Sequence, residues 1–311
     1  MRQKHPFFSS FYIFVVALTA LLIASCNRTP PTPTVSPDPV QSTLPPVVEP
    51  TITVTSGPAA ARVNGEGITL LDYQAELARL DASLQETGMV LTASEQSQRV
   101  LDELIDQMLL AQAARQGGFV LDEAALNDRI TRLGGEAAAN GAGESALTDW
   151  QQKYGYTPES FRLALTLAAE AAWQRDQIAN SVPEAVEQVH ARQILVLDAG
   201  LADQVSGSLK SGADFATLAY QYEPLTGGDL GWFPRGYLTQ PAVEDAAFAL
   251  QPEQVSDVIE TPYGYHIVQV LEHDAQHPLS GDARRFLQRK AVADWLLAQR
   301  QQAQIEILIE P

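Results

Sequence analysis

Thr261-Pro262-Tyr263-Gly264-Tyr265-His266-Ile267-Val268 is a turn between two strands. Pro262 and Gly264 interrupt the pattern, and apolar residues alternate beyond them. Strands are expected over Val258–Thr261 and Tyr265–Leu271. A period of two puts His266 on one face with Val268 and Val270. A lone histidine on an apolar face is either a satisfied core group or a polar group aimed into a site.

Working outward, Val243 to Leu250 has the pattern of a helix, and Gly227-Gly228-Asp229-Leu230-Gly231-Trp232-Phe233-Pro234-Arg235-Gly236 that of a compact loop with little helix or strand character. Ala199 to Ser211 forms a helix closed by Gly212, and Asp214 to Tyr220 a shorter one. Val189 to Leu197 alternates as a strand does. The expected order is β-α-α-α-β-β, a small α/β domain.

Before Pro183 the pattern is helical. Ala61 to Ile68 is a hairpin turning at Asn64-Gly65. Thr69-x-x-Asp72 and Thr92-x-x-Glu95 open helices as capping boxes do. In the second, Val100, Leu101, Leu104, Ile105, Met108 and Leu109 keep the helical period, and Gly117-Gly118 ends it. Asp122 to Leu133 is a third helix and Gly134 to Ser145 a small-residue loop. Thr157-Pro158-Glu159 starts a helix that runs to about Ile178. Residues 60–182 show no metal spacing, catalytic triad or phosphate loop. After the α/β domain come a long helix, about Asp282 to Gln301, and a lone strand, Ile305 to Ile309. A lone strand needs a partner for its backbone donors, and the hairpin at Ala61 is the candidate.

The chain has 311 residues, with 38 Asp and Glu against 20 Lys and Arg, a net charge of -18. So acidic a surface excludes nucleic acid as a partner, since phosphate neutralisation needs clustered cations. Arg2 and Lys4 precede an apolar run, Phe11 to Ile23, followed by Ile23-Ala24-Ser25-Cys26. Small residues before a cysteine suit signal cleavage, and the run is short for a spanning helix of ~20 residues. The order resembles a bacterial lipobox, which implies lipidation at Cys26, the only cysteine. Residues 27–58 are rich in Pro and Thr and form an extended stalk.

Five segments together resemble the parvulin rotamase domain: His190-Ala191-Arg192-Gln193-Ile194-Leu195-Val196, Gly212-Ala213-Asp214-Phe215-Ala216, the 227–236 stretch, Ala246-Ala247-Phe248-Ala249-Leu250, and Thr261 to Val268. The flanks resemble SurA- and PrsA-type extracytoplasmic foldases. The fold class implied is α+β: a helical chaperone-like domain with short terminal strands, joined to a parvulin-like domain. The expected organisation is a signal peptide at 1–25, a linker at 26–58, the helical domain at 59–184, the parvulin-like domain at 187–274, and a helix and strand at 279–311 packing on the helical domain.

The resemblance implies peptidyl-prolyl isomerisation, with no cofactor and no metal. The X–Pro barrier, ~20 kcal/mol, comes from amide resonance. A site lowers it by gripping the proline ring and favouring the twisted amide. The resemblance assigns the ring pocket to Leu230, Leu238, Val243 and Phe248, and the polar group to His266 with Thr261 in its network. Where the family carries a second histidine, this chain has Gln193, which is expected to share an apolar face with Leu195 and Leu197 and to hydrogen-bond His266. His190 falls on the opposite face. Arg235 is expected as a solvated loop residue, and Glu223 stands near the family's acidic position in a shortened loop. The implied partners are unfolded or nascent secreted polypeptides containing X–Pro bonds. The implied location is the outer side of a cell membrane, through lipid on Cys26. The alternative function is a holdase whose parvulin-like module only binds extended peptides.

Overall fold

The computed structural model describes residues 58–137 and 145–309. The expected signal peptide, Cys26, nearly all of the expected stalk and most of the expected small-residue loop lie outside these. Two compact units result: residues 177–295 form one, and the remaining described residues the other. The divisions fall inside two helices.

In the first unit, β1 (Ala59–Val63) and β2 (Glu66–Thr69) form the hairpin. Asn64 and Gly65 both take positive φ, 52° and 85°, the pairing that a two-residue turn needs. Thr69 caps α1 (Leu70–Thr87) by accepting from Asp72 N. Thr92 and Glu95 complete a reciprocal capping box on α2 (Ala93–Gln116). That helix ends in a Schellman turn: Gly118 takes φ 84°, Phe119 N donates to Ala114 O and Gly118 N to Arg115 O. There follow α3 (Glu123–Ala137), α4 (Ala146–Lys153) and α5 (Pro158–Asn180), the last capped by Thr157. Two expectations need correction here. The helix of α3 continues through Gly134 and Gly135, and α4 was not foreseen. Trp150, Tyr154 and Leu147 of α4's region pack with Leu133, Tyr156 and Phe161, and this tertiary burial overrides weak local propensity.

The C-terminal strand β7 (Ile305–Ile307) pairs antiparallel with β1, so the sheet order is β2-β1-β7. Asn64 N donates to Gln304 O, and Leu308 N to Ala60 O. Ile305 and Ile309 pack on the core of β1, α1 and α2.

The second unit is built on β3 (Ala185–Val196), β4 (Asp229–Pro234), β5 (Ile259–Thr261) and β6 (Gly264–Pro278), antiparallel in the order β4-β3-β6-β5. Helices α6 (Ala199–Lys210) and α7 (Phe215–Tyr222) cover one face over Ile194, Val196 and Ile267. Helix α8 (Pro241–Ala249) covers the other over Val189, Ala191, Val268 and Val270. Helix α9 (Gly281–Gln302) follows β6. The element order is therefore β-α-α-β-α-β-β, because the 227–236 stretch holds a strand. Glycines hid it. Gly228 comes so close to β3 that a Cβ there would lie 1.9 Å from Gln193 O, and it takes φ 71°. The strands β3 and β6 also outrun their expected ends: Ala185, Val186 and Gln188 pair with Pro278, His277 and Asp274, and the buried Gln188 side chain donates to His277 O at 2.7 Å.

Candidate active site

Antiparallel register sets the polar side chains. Gln193 of β3 stands opposite Val268, and Leu195 opposite His266. His266 is buried. Its Nδ1 lies 2.8 Å from Gln193 Oε1 and its Nε2 lies 2.9 Å from Thr261 Oγ1. An amide oxygen only accepts, so Nδ1 carries the proton and Nε2 accepts from the Thr261 hydroxyl. Thr261 Oγ1 in turn accepts from Tyr263 N at 3.1 Å, which ties the network to the turn. Burial pushes the His266 pKa below its ordinary value of 6.5 and favours the neutral ring.

The four residues expected to form the ring pocket belong to one cluster. Val243 and Phe248 are buried in it, and Leu230 and Leu238 are partly buried against it. Val268, opposite Gln193, belongs to the same cluster, so the apolar group and the polar network adjoin. Phe248 meets Phe233 edge to face, with centroids 6.0 Å apart.

Several side chains fall elsewhere than expected. Leu195 and Leu197 are exposed, so the apolar neighbours on Gln193's side are Ala191, Val189 and Val268 instead. Arg235 is not simply solvated. Its guanidinium lies 4.0 Å from the Phe248 ring centroid and its Nε donates to Glu187 at 3.1 Å. Glu187 also accepts from His273 Nε2, and these two bonds, His273 first, hold its carboxyl below the usual range. His190 stays apart from His266, bonded to Asp229 at 2.9 Å and 5.6 Å from the Trp232 ring. Glu223 is exposed at the C-terminus of α7.

Sequence inspection missed Glu244. Its buried carboxylate accepts three backbone N–H groups, from Gly236 at 2.6 Å, Tyr237 at 2.9 Å and Leu238 at 3.0 Å. It fixes the loop that carries Leu238. The available signal was an acid in the first turn of a helix opened by Pro241, after a glycine-rich stretch. A cavity of about 320 Å³ lies on the other sheet face, lined by Ser206, Lys210, Phe215 and Gln269, and includes none of the expected site residues. No cluster of metal-ligating side chains occurs among the described residues.

Residues 179–274 match the family model of the PPIC-type PPIase domain, and residues 47–144 that of the SurA-like N-terminal domain. The chain thus carries a PPIC-type PPIase domain preceded by a SurA-like N-terminal domain. Foldase protein PrsA of Caldanaerobacter subterraneus is 29% identical over 231 residues, covering 68% of this chain and 73% of the relative. Foldase protein PrsA of a Geobacillus species is 41% identical over 98 residues, 30% of this chain and 35% of that one. Chaperone SurA of Methylobacillus flagellatus is 37% identical over 151 residues, 42% of this chain and 34% of that one. The chain thus spans about a third of the length of the last two. A crystal structure of PrsA from Bacillus cereus aligns with a TM-score of 0.44 at 20% identity, over 72% of this chain and 83% of that one.

Proposed function

We propose that the chain is a peptidyl-prolyl cis-trans isomerase that assists folding of secreted proteins outside the cytoplasm. The observation that carries this is the junction of an apolar cluster with a closed Gln193–His266–Thr261 network, within a PPIC-type domain. No bond is broken in the reaction, so neither nucleophile nor metal is required. Leu230, Leu238, Val243 and Phe248 grip the proline ring, with Leu230 and Leu238 at the accessible side. The twisted amide has lost its charge separation and prefers a less polar surrounding than the planar one. A neutral His266 keeps the site from offering a full charge to the planar carbonyl. The Gln193 carboxamide has its N–H₂ left to donate to the twisted amide.

The clients are unfolded or nascent secreted polypeptides containing X–Pro bonds. Residues 1–25 act as a signal peptide, Cys26 carries lipid, and residues 26–58 hold the folded part away from the membrane. Among the described residues no helix is long and apolar enough to cross a membrane.

Exchange spectroscopy on a short proline peptide tests this. The chain should accelerate cis–trans exchange well above buffer, and His266→Ala should reduce turnover while suppression of client aggregation persists. Aggregation suppression with no acceleration by the unaltered chain would make the domain a peptide-binding module.

A further inference from the structure

The cations of the sheet unit gather on one short stretch. Residues 177–295 hold 16 Asp and Glu against seven Lys and Arg. Four of the seven, Arg284, Arg285, Arg289 and Lys290, lie within residues 281–290 of α9. With Asp282 that stretch has a formal charge of +3, while the rest of the unit, three cations and 15 acids, stands at -12. The helix itself gains little from them. Arg284 and Arg285 close its first turn, the end whose dipole favours anions. Arg284 donates to Glu184, Arg285 to Asp282 and Lys290 to Asp294. Arg289 is exposed and has no polar partner among the described residues.

The stretch borders the ring pocket. Phe286 meets Tyr237 edge to face, with centroids 5.2 Å apart. One turn further on, the Lys290 stem lies over Gly236: a Cβ there would come 3.0 Å from Lys290 Cε. Arg289 follows Phe286 by three residues and Lys290 by four, so both cations flank that contact. Gly236 and Tyr237 belong to the loop that Glu244 fixes and that carries Leu238. Tyr237 and Leu238 both pack against the pocket cluster. The cationic ledge of α9 thus continues the pocket wall beyond Leu238.

We infer that Arg289 and Lys290 bind an acidic side chain of the client on the side that follows the proline, so that the site takes acidic residues there over neutral ones. This rests on the isomerase assignment. The side follows from connectivity. The residue before proline lies across the Gln193–His266–Thr261 network, whereas the 236–238 loop bounds the ring pocket and makes no bond to that network. A client chain leaving the ring toward this loop is the part after proline. The acidic remainder of the unit repels such a segment, and the ledge attracts it.

Three proline peptides test this by exchange spectroscopy and by fluorescence anisotropy: one with two glutamates just after the proline, one with two glutamines there, and one with two glutamates just before it. The unaltered chain should favour the first over the second about threefold in kcat/KM, the size that exposed ion pairs give. Added salt should remove most of that preference. Arg289→Gln with Lys290→Gln, both at exposed positions and with a stem left over Gly236, should bring the ratio close to one. Lys210→Gln, on the opposite sheet face, should leave the ratio as it is. An unchanged ratio in the double variant, a ratio that salt does not move, or a stronger preference for the third peptide than for the first overturns the inference. If the unaltered chain accelerates no peptide, the isomerase assignment fails, and the ratio is read from binding. A preference for glutamate after proline that the double variant loses then upholds the inference, and no preference overturns it.

Discussion

In the helical unit the carboxyls of Glu103, Asp106, Glu170 and Asp176 are all pushed above their ordinary values, in each case mainly by burial. In the sheet unit the carboxyls of Glu187, Asp214 and Asp229 are held down. His273 and Arg235 lower the first and the Thr217 hydroxyl and N–H the second; for the third, burial is outweighed by Gly231 N–H and His190. The helical unit buries acids along helix faces and offsets them with cations, as Arg300 does by donating to both Asp102 and Asp106. The sheet unit spends its acids on backbone and turns. Asp198 caps α6, Asp214 caps α7 and Glu244 holds the 236–238 loop. One unit tolerates charge for packing, and the other uses charge to fix the loops around a site.

The largest expected effect lies in the helical unit. Deleting residues 304–311 removes one of the two strands paired with β1, the Gln304 and Leu308 bonds and the Ile305 and Ile309 contacts. The loss should be roughly 5 kcal/mol, comparable to the whole stability of a small domain. Amide exchange should show protection lost in β1 and α2 and kept in β3 and β6. Retained protection in α2 would break the comparison.

Glu244→Gln comes next, acting on the sheet unit. The amide nitrogen cannot accept, so it turns a donor against one or two of three backbone donors. Stability should fall by about 3 kcal/mol, as for a buried charged acceptor removed, and isomerase turnover should fall with it. Chemical denaturation with a peptide-exchange assay checks both, and Glu244→Asp should restore part of the turnover if the carboxylate's hold on Leu238 is what matters.

A smaller effect sharpens the contrast by pH. His266 is depressed in the fold, so the unfolded chain takes up its proton first. Its contribution to the sheet unit is full above 6.5 and is lost as pH falls below that value. The lowered carboxyls extend the loss to more acid pH. The raised carboxyls act oppositely: they cost stability when ionised, and acidification toward their ordinary values, 3.8 for Asp and 4.5 for Glu, relieves that cost. Amide exchange between pH 7 and 5 should show the sheet unit weakening while the helical unit holds or gains. Parallel weakening would contradict it, and His266→Leu should flatten the first slope.

Much of this was legible because it is local. The capping box at Thr92, the turn at Asn64-Gly65, and the shared face of His266, Val268 and Val270 each follow from residues a few positions apart. The partner of the last strand could be reasoned from its unsatisfied backbone. What escaped depends on tertiary contact. Strand β4 escaped because Gly228, just before it, must abut Gln193 O, and Gly231 within it interrupts the alternation that marks a strand. The role of Glu244 is set by a loop six to eight residues upstream that folds back onto it. The exposure of Leu195 and Leu197 was read as an apolar face because period alone does not tell which part of a strand the helix α8 covers.

The most direct test of the site is amide-shift mapping of the isotope-labelled chain with a proline peptide. Shifts should converge on Gln193, Leu230, Leu238, Thr261 and His266, with exchange between the bound cis and trans forms faster than in free peptide. Shifts confined to Ser206, Phe215 and Gln269 on the opposite sheet face, with exchange no faster than in buffer, would contradict it.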